Sequence, residues 1–360
     1  LGPVFEEALK PLIDHGCLQI IYGGTESGAL AVSHPLADEI HITGAIGTHD
    51  HIVWGPHGED RDRRIRDDQP LIEKRITSEL GNVTPWIVVP GEYSSRQLAF
   101  QTENVAVSVV NNVAFNCVST RVLVTWKQWP QRISFLDRID AEFARIPRRV
   151  SYYPGAIDRF RRLTGADPVS DQPAHLPWTL LRGVNPDERP ELLEEESFVC
   201  VLAEVALDAA TPEEFLRKAV EFVNRRLFGT LCAALTLPLR FRQRSSSEQL
   251  LQSCLSELQY GTVAINHWPG IMFALMSPPW GGYPGSSLRD VQSGIGWSHN
   301  TLMLDGVLKT VMEGPLVMFP KPAWFPSHPR AEQVAWSFFQ LYQNPSWFAL
   351  TRLAYASLRG

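Results

Sequence analysis

Apolar and polar positions along this chain follow two rhythms, one of period near 3.6 and one of period two, and the changes between them mark its elements. Phe5, Ala8, Leu9 and Leu12 fall at helical spacing and predict a helix face. Residues 18–22 predict a strand closing on Gly23-Gly24, the run from Thr25 another helix, and 39–44 a strand ending in glycine. Strand, glycine turn and helix in repetition predict a parallel α/β sheet, with ligands at the carboxyl ends of its strands. Residues 55–70, rich in Gly, Asp and Arg, read as an exposed connection. Farther on, 86–89 predicts a buried strand, and Leu98, Thr102, Val105, Val109 and Val113 mark one helical face. A strand is expected over 120–125, helices over 131–146 and 212–226, and further strands near 198–206, 230–236 and 261–266. The second of these helices has Thr211 as its N-cap and Gly229 near its end.

From about residue 313 the character changes. Pro315, Pro320, Pro322, Pro326 and Pro329 make an extended link to two amphipathic, aromatic-rich segments, 331–343 and 346–358, split by Asn344-Pro345. These read as helices packing on the body or across a subunit interface. The alternative is an interfacial anchor, a peripheral membrane contact through 331–358.

The 360 residues leave room for two domains and at least one large core. With 44% hydrophobic and 20% charged residues the chain is globular in composition, and its net charge of −6 speaks against a nucleic-acid partner. The basic clusters Arg61-Asp62-Arg63-Arg64 and Arg240, Arg242, Arg244 are short and read as solvated faces. Five scattered cysteines without a Cys-x-x-Cys pair fit a reducing, cytoplasmic compartment better than a disulfide framework. No apolar run approaches the ~20 residues that span a bilayer. Because the chain begins at Leu1, it reads as a fragment or a processed product.

Two short stretches carry the candidate chemistry. Glu79-Leu80-Gly81-Asn82 sets a carboxylate beside a glycine turn, and Asn116-Cys117 sets a thiol at the end of a helical run. A thiol attacks a carbonyl to form a covalent adduct, and a neighbouring carboxylate activates water to release the acid. The plain alternatives are a buried structural cysteine and a capping or salt-bridging glutamate. A nucleophilic Cys117 requires a populated thiolate, and so a polar, reachable pocket. His41, His49, His51 and His57 invite a metal reading, but histidines two apart do not share a helix face and no further ligand has the expected spacing, so no metal is expected. Ser245-Ser246-Ser247 reads as a helix start, since no Gly-x-Ser-x-Gly elbow surrounds it. The glycines at 23–28 do not form Gly-x-Gly-x-x-Gly. Trp280, Trp297 and Trp324 read as core packing before they read as a substrate tunnel.

Taken in order, Gly24-x-x-x-Gly28, Thr43-Gly44-Ala45, Glu79-Leu80-Gly81-Asn82, Asn116-Cys117, Glu195-Glu196-x-Phe198, Asn266, Pro279-Trp280-Gly281-Gly282 and Lys309-Thr310-Val311 resemble the aldehyde dehydrogenase superfamily. The resemblance runs from about residue 1 to 311. It implies an α/β fold with a parallel-sheet nucleotide-binding part and an α/β catalytic domain. The implied segments are 1–78, the C-terminal portion of the nucleotide-binding domain; 79–275, the catalytic domain; 276–312, a return segment; and 313–360, a C-terminal extension. It further implies oxidation of a small-molecule aldehyde to a carboxylic acid with NAD or NADP, and a homo-oligomer. Cys117 takes the place of the nucleophile that forms a thiohemiacetal and then a thioester, and Glu79 that of the base for hydrolysis. Gly44 and Ala45 resemble the turn facing the cofactor pyrophosphate, and Gly24 and Gly28 the positions that allow its close approach. Leu80 resembles the residue whose carbonyl meets the carboxamide, Glu196 the carboxylate on the nicotinamide ribose, and Phe198 the ring beside the nicotinamide. Coenzyme A as acyl acceptor, or a non-catalytic scaffold, are the alternatives.

The chain also departs from that pattern. Asn82 stands where members usually have glycine, and Val199-Cys200 where a Gly-Pro pair usually follows the phenylalanine. The separation of Glu79 and Cys117 exceeds the usual gap by a few residues, which Gly91-Glu92-Tyr93-Ser94 would absorb. The oxyanion-hole asparagine, the phosphate-side lysine and the first strands of the nucleotide domain have no counterpart here and are expected upstream of Leu1.

Overall fold

The structure is a computed structural model and describes residues 1–168, 174–300 and 302–359, so that Gly360, the last residue of the expected extension, lies outside it. The chain divides into two compact units, Leu1–Ser78 and Glu79–Gly360.

The first unit holds α1 (Gly2–Ala8), α2 (Lys10–Asp14), α3 (Thr25–Ser33), β1 (Glu39–Gly44), α4 (Ile46–Trp54), α5 (Glu59–Asp67) and the start of β2 (Arg75–Leu80), which pairs with β1. The single helix expected at the start is two, because Pro11 enters the first turn of α2 and its missing N–H and ring do not fit a helix interior. Residues 18–22 are not a strand. Their β-forming side chains have no ladder to join among the described residues, and Ile21 and Tyr22 stay exposed. The repeated strand–turn–helix pattern therefore yields one two-stranded sheet here, and the parallel sheet lies in the second unit. Residues 59–67, expected as a connection, form α5, with acidic residues in its first turn and basic ones in its last, as the helix dipole favours.

The second unit is built on a seven-stranded sheet whose strands are β3 (Thr84–Val88), β4 (Thr120–Trp126), β5 (Thr179–Leu181), β6 (Val201–Leu207), β7 (Cys232–Thr236), β8 (Thr262–Ile265) and β9 (Thr310–Glu313). They lie in the order β5-β6-β4-β3-β7-β8-β9, every pair parallel. The connecting helices are α6 (Ser95–Val110), α7 (Arg132–Arg145), α8 (Ala156–Thr164), α9 (Pro212–Arg226), α10 (Ser245–Glu257) and α11 (Gly270–Leu275).

Side-chain alternation in the strands separates two cores. Trp86, Val88, Leu123, Cys232 and Ala234 point to one face, with Val105 and Val109 of α6, Phe135 and Ile139 of α7 and Phe160 of α8. Ile87, Val122, Val124, Ala233 and Leu235 point to the other, with Phe215 and Val220 of α9 and Leu251 of α10. A sheet covered by helices on both faces explains why β3 and β4 read as nearly unbroken apolar runs. The expected Thr211 cap is present, and a capping box not read from the sequence joins it. Thr211 accepts the Glu214 N–H at the start of α9, and Ser94 and Gln97 form a reciprocal capping box on α6.

The C-terminal link lies over α6. Phe325 packs on Phe100 with ring centroids 4.9 Å apart, and the buried Glu103 takes Lys321 Nζ at 2.9 Å and the Ser327 N–H at 3.1 Å. Beyond it α12 (Ala331–Gln343) and α13 (Trp347–Leu358) form a helical hairpin that leaves Trp336, Phe338, Tyr342, Trp347 and Phe348 exposed. No helix among the described residues is long and apolar enough to cross a membrane.

Candidate active site

Parallel register brings the two chemical stretches together. β3 and β4 are neighbours with Thr84 opposite Thr120, so the segments entering them, 79–83 and 115–119, meet at the amino-terminal edge of the sheet. There the Cys117 thiol donates to Glu79 Oε1 at 3.3 Å. Glu79 is buried and Cys117 half-buried. The segments entering β6 and β7, which hold Glu196, Phe198 and Gly229, reach the same edge.

The turn into Cys117 is conformationally costly. Helix α6 stops at Val110, three residues before the expected face ends, and Asn112, Val113 and Ala114 follow with φ of 47°, 59° and 65°. Asparagine tolerates the left-handed region, whereas valine and alanine do not, at about 1–2 kcal/mol each. Hydrogen bonds hold the turn. Asn112 Nδ2 donates to the Phe115 carbonyl at 2.8 Å and Asn116 Nδ2 to the Asn111 carbonyl at 3.0 Å. Arg121, fully buried in β4, donates to the carbonyls of Ala114 (2.6 Å), Asn116 (3.4 Å) and Val199 (2.8 Å). It thereby ties the Cys117 turn to the segment that carries Glu196 and Phe198. Burial lowers its guanidinium to about 10.

The thiol is not poised as expected. Burial first, and then the adjacent Glu79 and Cys232, hold Cys117 well above the ordinary thiol range. A standing thiolate is thus replaced by a protonated thiol whose hydrogen points at a carboxylate. Glu196 rests on the turn after Glu79. Its carboxyl accepts the Asn82 backbone N–H, and a Cβ on Gly81 would push the Glu196 carboxyl aside. Burial raises this acid to about 7 against the opposing pull of Arg121, and its Oε1 has no partner among the described groups. Phe198, at φ 44°, packs 5.7 Å from Phe115 and 4.9 Å from Tyr153, making an aromatic cluster two residues from the thiol. Leu80 is buried and its N–H donates to the Ser293 carbonyl at 2.9 Å.

The remaining candidates belong to the first unit. Gly44 ends β1, Ala45 caps α4 without a side-chain hydrogen bond, and Gly24 caps α3, which contains Gly28. A Cβ built on Gly24 or Gly28 would meet nothing within 4 Å, so open space lies beside both. Two of the histidines of this unit illustrate their polar neighbours. His41 bonds Thr77 at 2.8 Å, and the buried His49 shares Asp50 with Arg61. Ser245 begins α10, and Trp280 is buried in the core, as read from the sequence.

Sequence reasoning missed Arg121 and the packing of Phe115 and Tyr153, ring centroids 5.5 Å apart, around Phe198. An arginine inside an apolar strand run was the available sign of the first, since a buried charge requires dedicated partners. Nothing local marked the second.

The chain matches no protein-family model and no curated protein. Solved structures do match it. An NAD-dependent aldehyde dehydrogenase from Sinorhizobium meliloti superposes at TM-score 0.57 and 17% identity, covering 78% of this chain and 51% of its own. Glyceraldehyde-3-phosphate dehydrogenase GapN from Methanocaldococcus jannaschii, complexed with NADP, superposes at 0.58 and 17% identity over 82% of this chain and 59% of its own. Lactaldehyde dehydrogenase from Escherichia coli gives 0.56 and 19%, over 78% and 54%. The chain has the aldehyde dehydrogenase fold. This aldehyde dehydrogenase-like chain spans about half the length of the structures it matches.

Proposed function

We propose that the whole protein oxidises an aldehyde to a carboxylic acid with NAD or NADP. The contact between the Cys117 thiol and Glu79 Oε1 at 3.3 Å carries this reading. Glu79 takes the thiol proton as the sulfur attacks the carbonyl carbon, forming a C–S bond and an oxyanion. The Cys117 backbone N–H steadies that oxyanion, together with an amide from elsewhere in the protein. The bound cofactor supplies the acceptor for the hydride that leaves the carbon. A thioester remains on Cys117. Glu79 releases the thiol proton to solvent and then takes one from water. The hydroxide adds to the thioester, the C–S bond breaks, and the acid leaves as the sulfur regains a proton.

The residues present suit the dinucleotide. The unpartnered Glu196 Oε1 offers an acceptor for a ribose hydroxyl, and the aromatic ring of Phe198 lies on the same segment. Within the first unit taken by itself, the α4 amino end after Gly44-Ala45 has no side-chain cap and is the kind of backbone that takes phosphate oxygens, and open space lies beside Gly24 and Gly28. Leu80 offers its carbonyl to the carboxamide. Glu79 beside the sulfur favours water over coenzyme A as acyl acceptor, which product analysis with and without coenzyme A decides. Cys117→Ser is expected to abolish aldehyde-dependent NAD(P)H formation while leaving dinucleotide binding by fluorescence unchanged. Undiminished turnover would remove Cys117 from the reaction.

A further inference from the structure

We infer that Asn82, with Thr84, is the positioning device that holds the Cys117 thiol against Glu79, resting on the reading of those two residues given above. Asn82 is fully buried, and its amide is used on both sides. Nδ2 donates to Thr84 Oγ1 at 3.0 Å and to the Cys232 carbonyl at 2.9 Å, and Oδ1 accepts the Leu231 N–H at 3.4 Å. Thr84 Oγ1 in turn donates to the Cys117 carbonyl at 3.3 Å and lies 3.5 Å from Cys232 Sγ. With its proton on the Cys117 carbonyl, the Thr84 oxygen accepts from both Asn82 and the Cys232 thiol, which uses its full capacity. The Asn82 main-chain N–H holds Glu196. One side chain thus fixes three things: the turn three residues after Glu79, the main chain of Cys117 through Thr84, and both to the start of β7.

The surroundings are shaped to this amide. Gly229, at φ +90°, faces it, and a Cβ there would come 2.6 Å from Asn82 Oδ1. A glycine at position 82 would leave the Leu231 N–H, the Cys232 carbonyl and the Thr84 hydroxyl without this partner, in a place closed to solvent. Asparagine here therefore replaces backbone freedom with a hydrogen-bonded strut.

The ionisable groups facing the thiol are Glu79 from the end of β2, Glu196 from the approach to β6, Cys232 of β7 and Arg121 of β4. Glu79 makes the direct contact and disfavours the thiolate. Loosening the strut withdraws the sulfur from Glu79, so the thiol ionises more easily while the reaction that needs their contact slows. Because burial also holds the thiol neutral, general loosening of the fold would mimic this pair, and the Glu79→Gln background separates loss of the contact from loss of burial.

The test is the pH dependence of Cys117 alkylation by iodoacetamide in the whole protein, followed by mass spectrometry of the Cys117 peptide, alongside aldehyde turnover. Thr84→Val is expected to lower the alkylation midpoint by about one pH unit, and to lower kcat about tenfold with KM little changed. Thr84→Ser is expected to restore both. In a Glu79→Gln background Thr84→Val should add little further shift, since the contact it protects is already gone. Asn82→Ala, which keeps the main-chain N–H, should reproduce the Thr84→Val result and serves if the valine variant fails to fold by circular dichroism. A midpoint equal to wild type in Thr84→Val or Asn82→Ala overturns the inference even where aldehyde turnover is present. A shifted midpoint in a protein that turns over no aldehyde leaves the strut standing and removes the proposed reaction instead.

Discussion

Around Cys117, burial decides which side chains keep their protons. The thiol is held neutral by desolvation and by Glu79, so in the proposed reaction the thiolate forms only as Glu79 takes its proton. Glu196 shows the same physics with a stability consequence. Its acid rises from the ordinary 4.5 to about 7 in the folded protein. Between those values the folded state binds a proton that the unfolded chain has lost, so stability contributed by this group is full below pH 4.5 and declines as pH rises towards 7. The loss is on the order of 3 kcal/mol. Glu196→Gln is expected to flatten that part of the urea-midpoint profile. An unchanged slope between pH 4.5 and 7 would show that Glu196 ionises freely. The pairing of Glu79 with Cys117 was legible from their motifs, whereas Arg121 was not, because its three carbonyl partners come from a turn and a segment more than 70 residues apart in sequence.

At the scale of elements, the turn between α6 and β4 sets the geometry. Regular helix ends at Val110, and the left-handed conformations at 112–114 redirect the chain so that Cys117 emerges at the edge where β3 begins. Ala114 makes no side-chain hydrogen bond that would compensate its conformation, and its φ of 65° suits glycine. Ala114→Gly is therefore expected to stabilise the protein by about 1 kcal/mol in urea denaturation, while slackening the turn and lowering turnover. Loss of stability would mean that the methyl group's packing outweighs its strain. Helical periodicity foretold α6 but carried it to Val113, since Val113 fits the apolar face and only Asn111-Asn112 hinted at a stop. The helices α7 and α9 and the strands β3, β4, β6, β7 and β8 were readable because propensity, alternation and caps agreed there. The strand expected at 18–22 failed for the converse reason. A strand is completed by its neighbours, and local preference supplies none.

For the whole molecule, the fold follows from the doubly wound sheet, which places the entries to four strands along one edge. The sequence suggested ligands at carboxyl ends of strands in the first unit, but the thiol and carboxylate meet at the amino-terminal edge of the seven-stranded sheet, a position that only strand order and register reveal. The hairpin of α12 and α13 was legible as two amphipathic helices split at Asn344-Pro345, and its aromatic side chains, expected to pack on the body, across a subunit interface or at a membrane surface, are exposed in this chain. The central claim is that Glu79 serves the sulfur and then the water. Glu79→Gln in the whole protein, mixed with an aldehyde and NAD(P) and quenched for intact-mass analysis, tests it most directly. The account predicts an acyl adduct that accumulates on Cys117 after a slowed first turnover and disappears far more slowly than in wild type. Release of acid at the wild-type steady-state rate, with no adduct on Cys117, would contradict it.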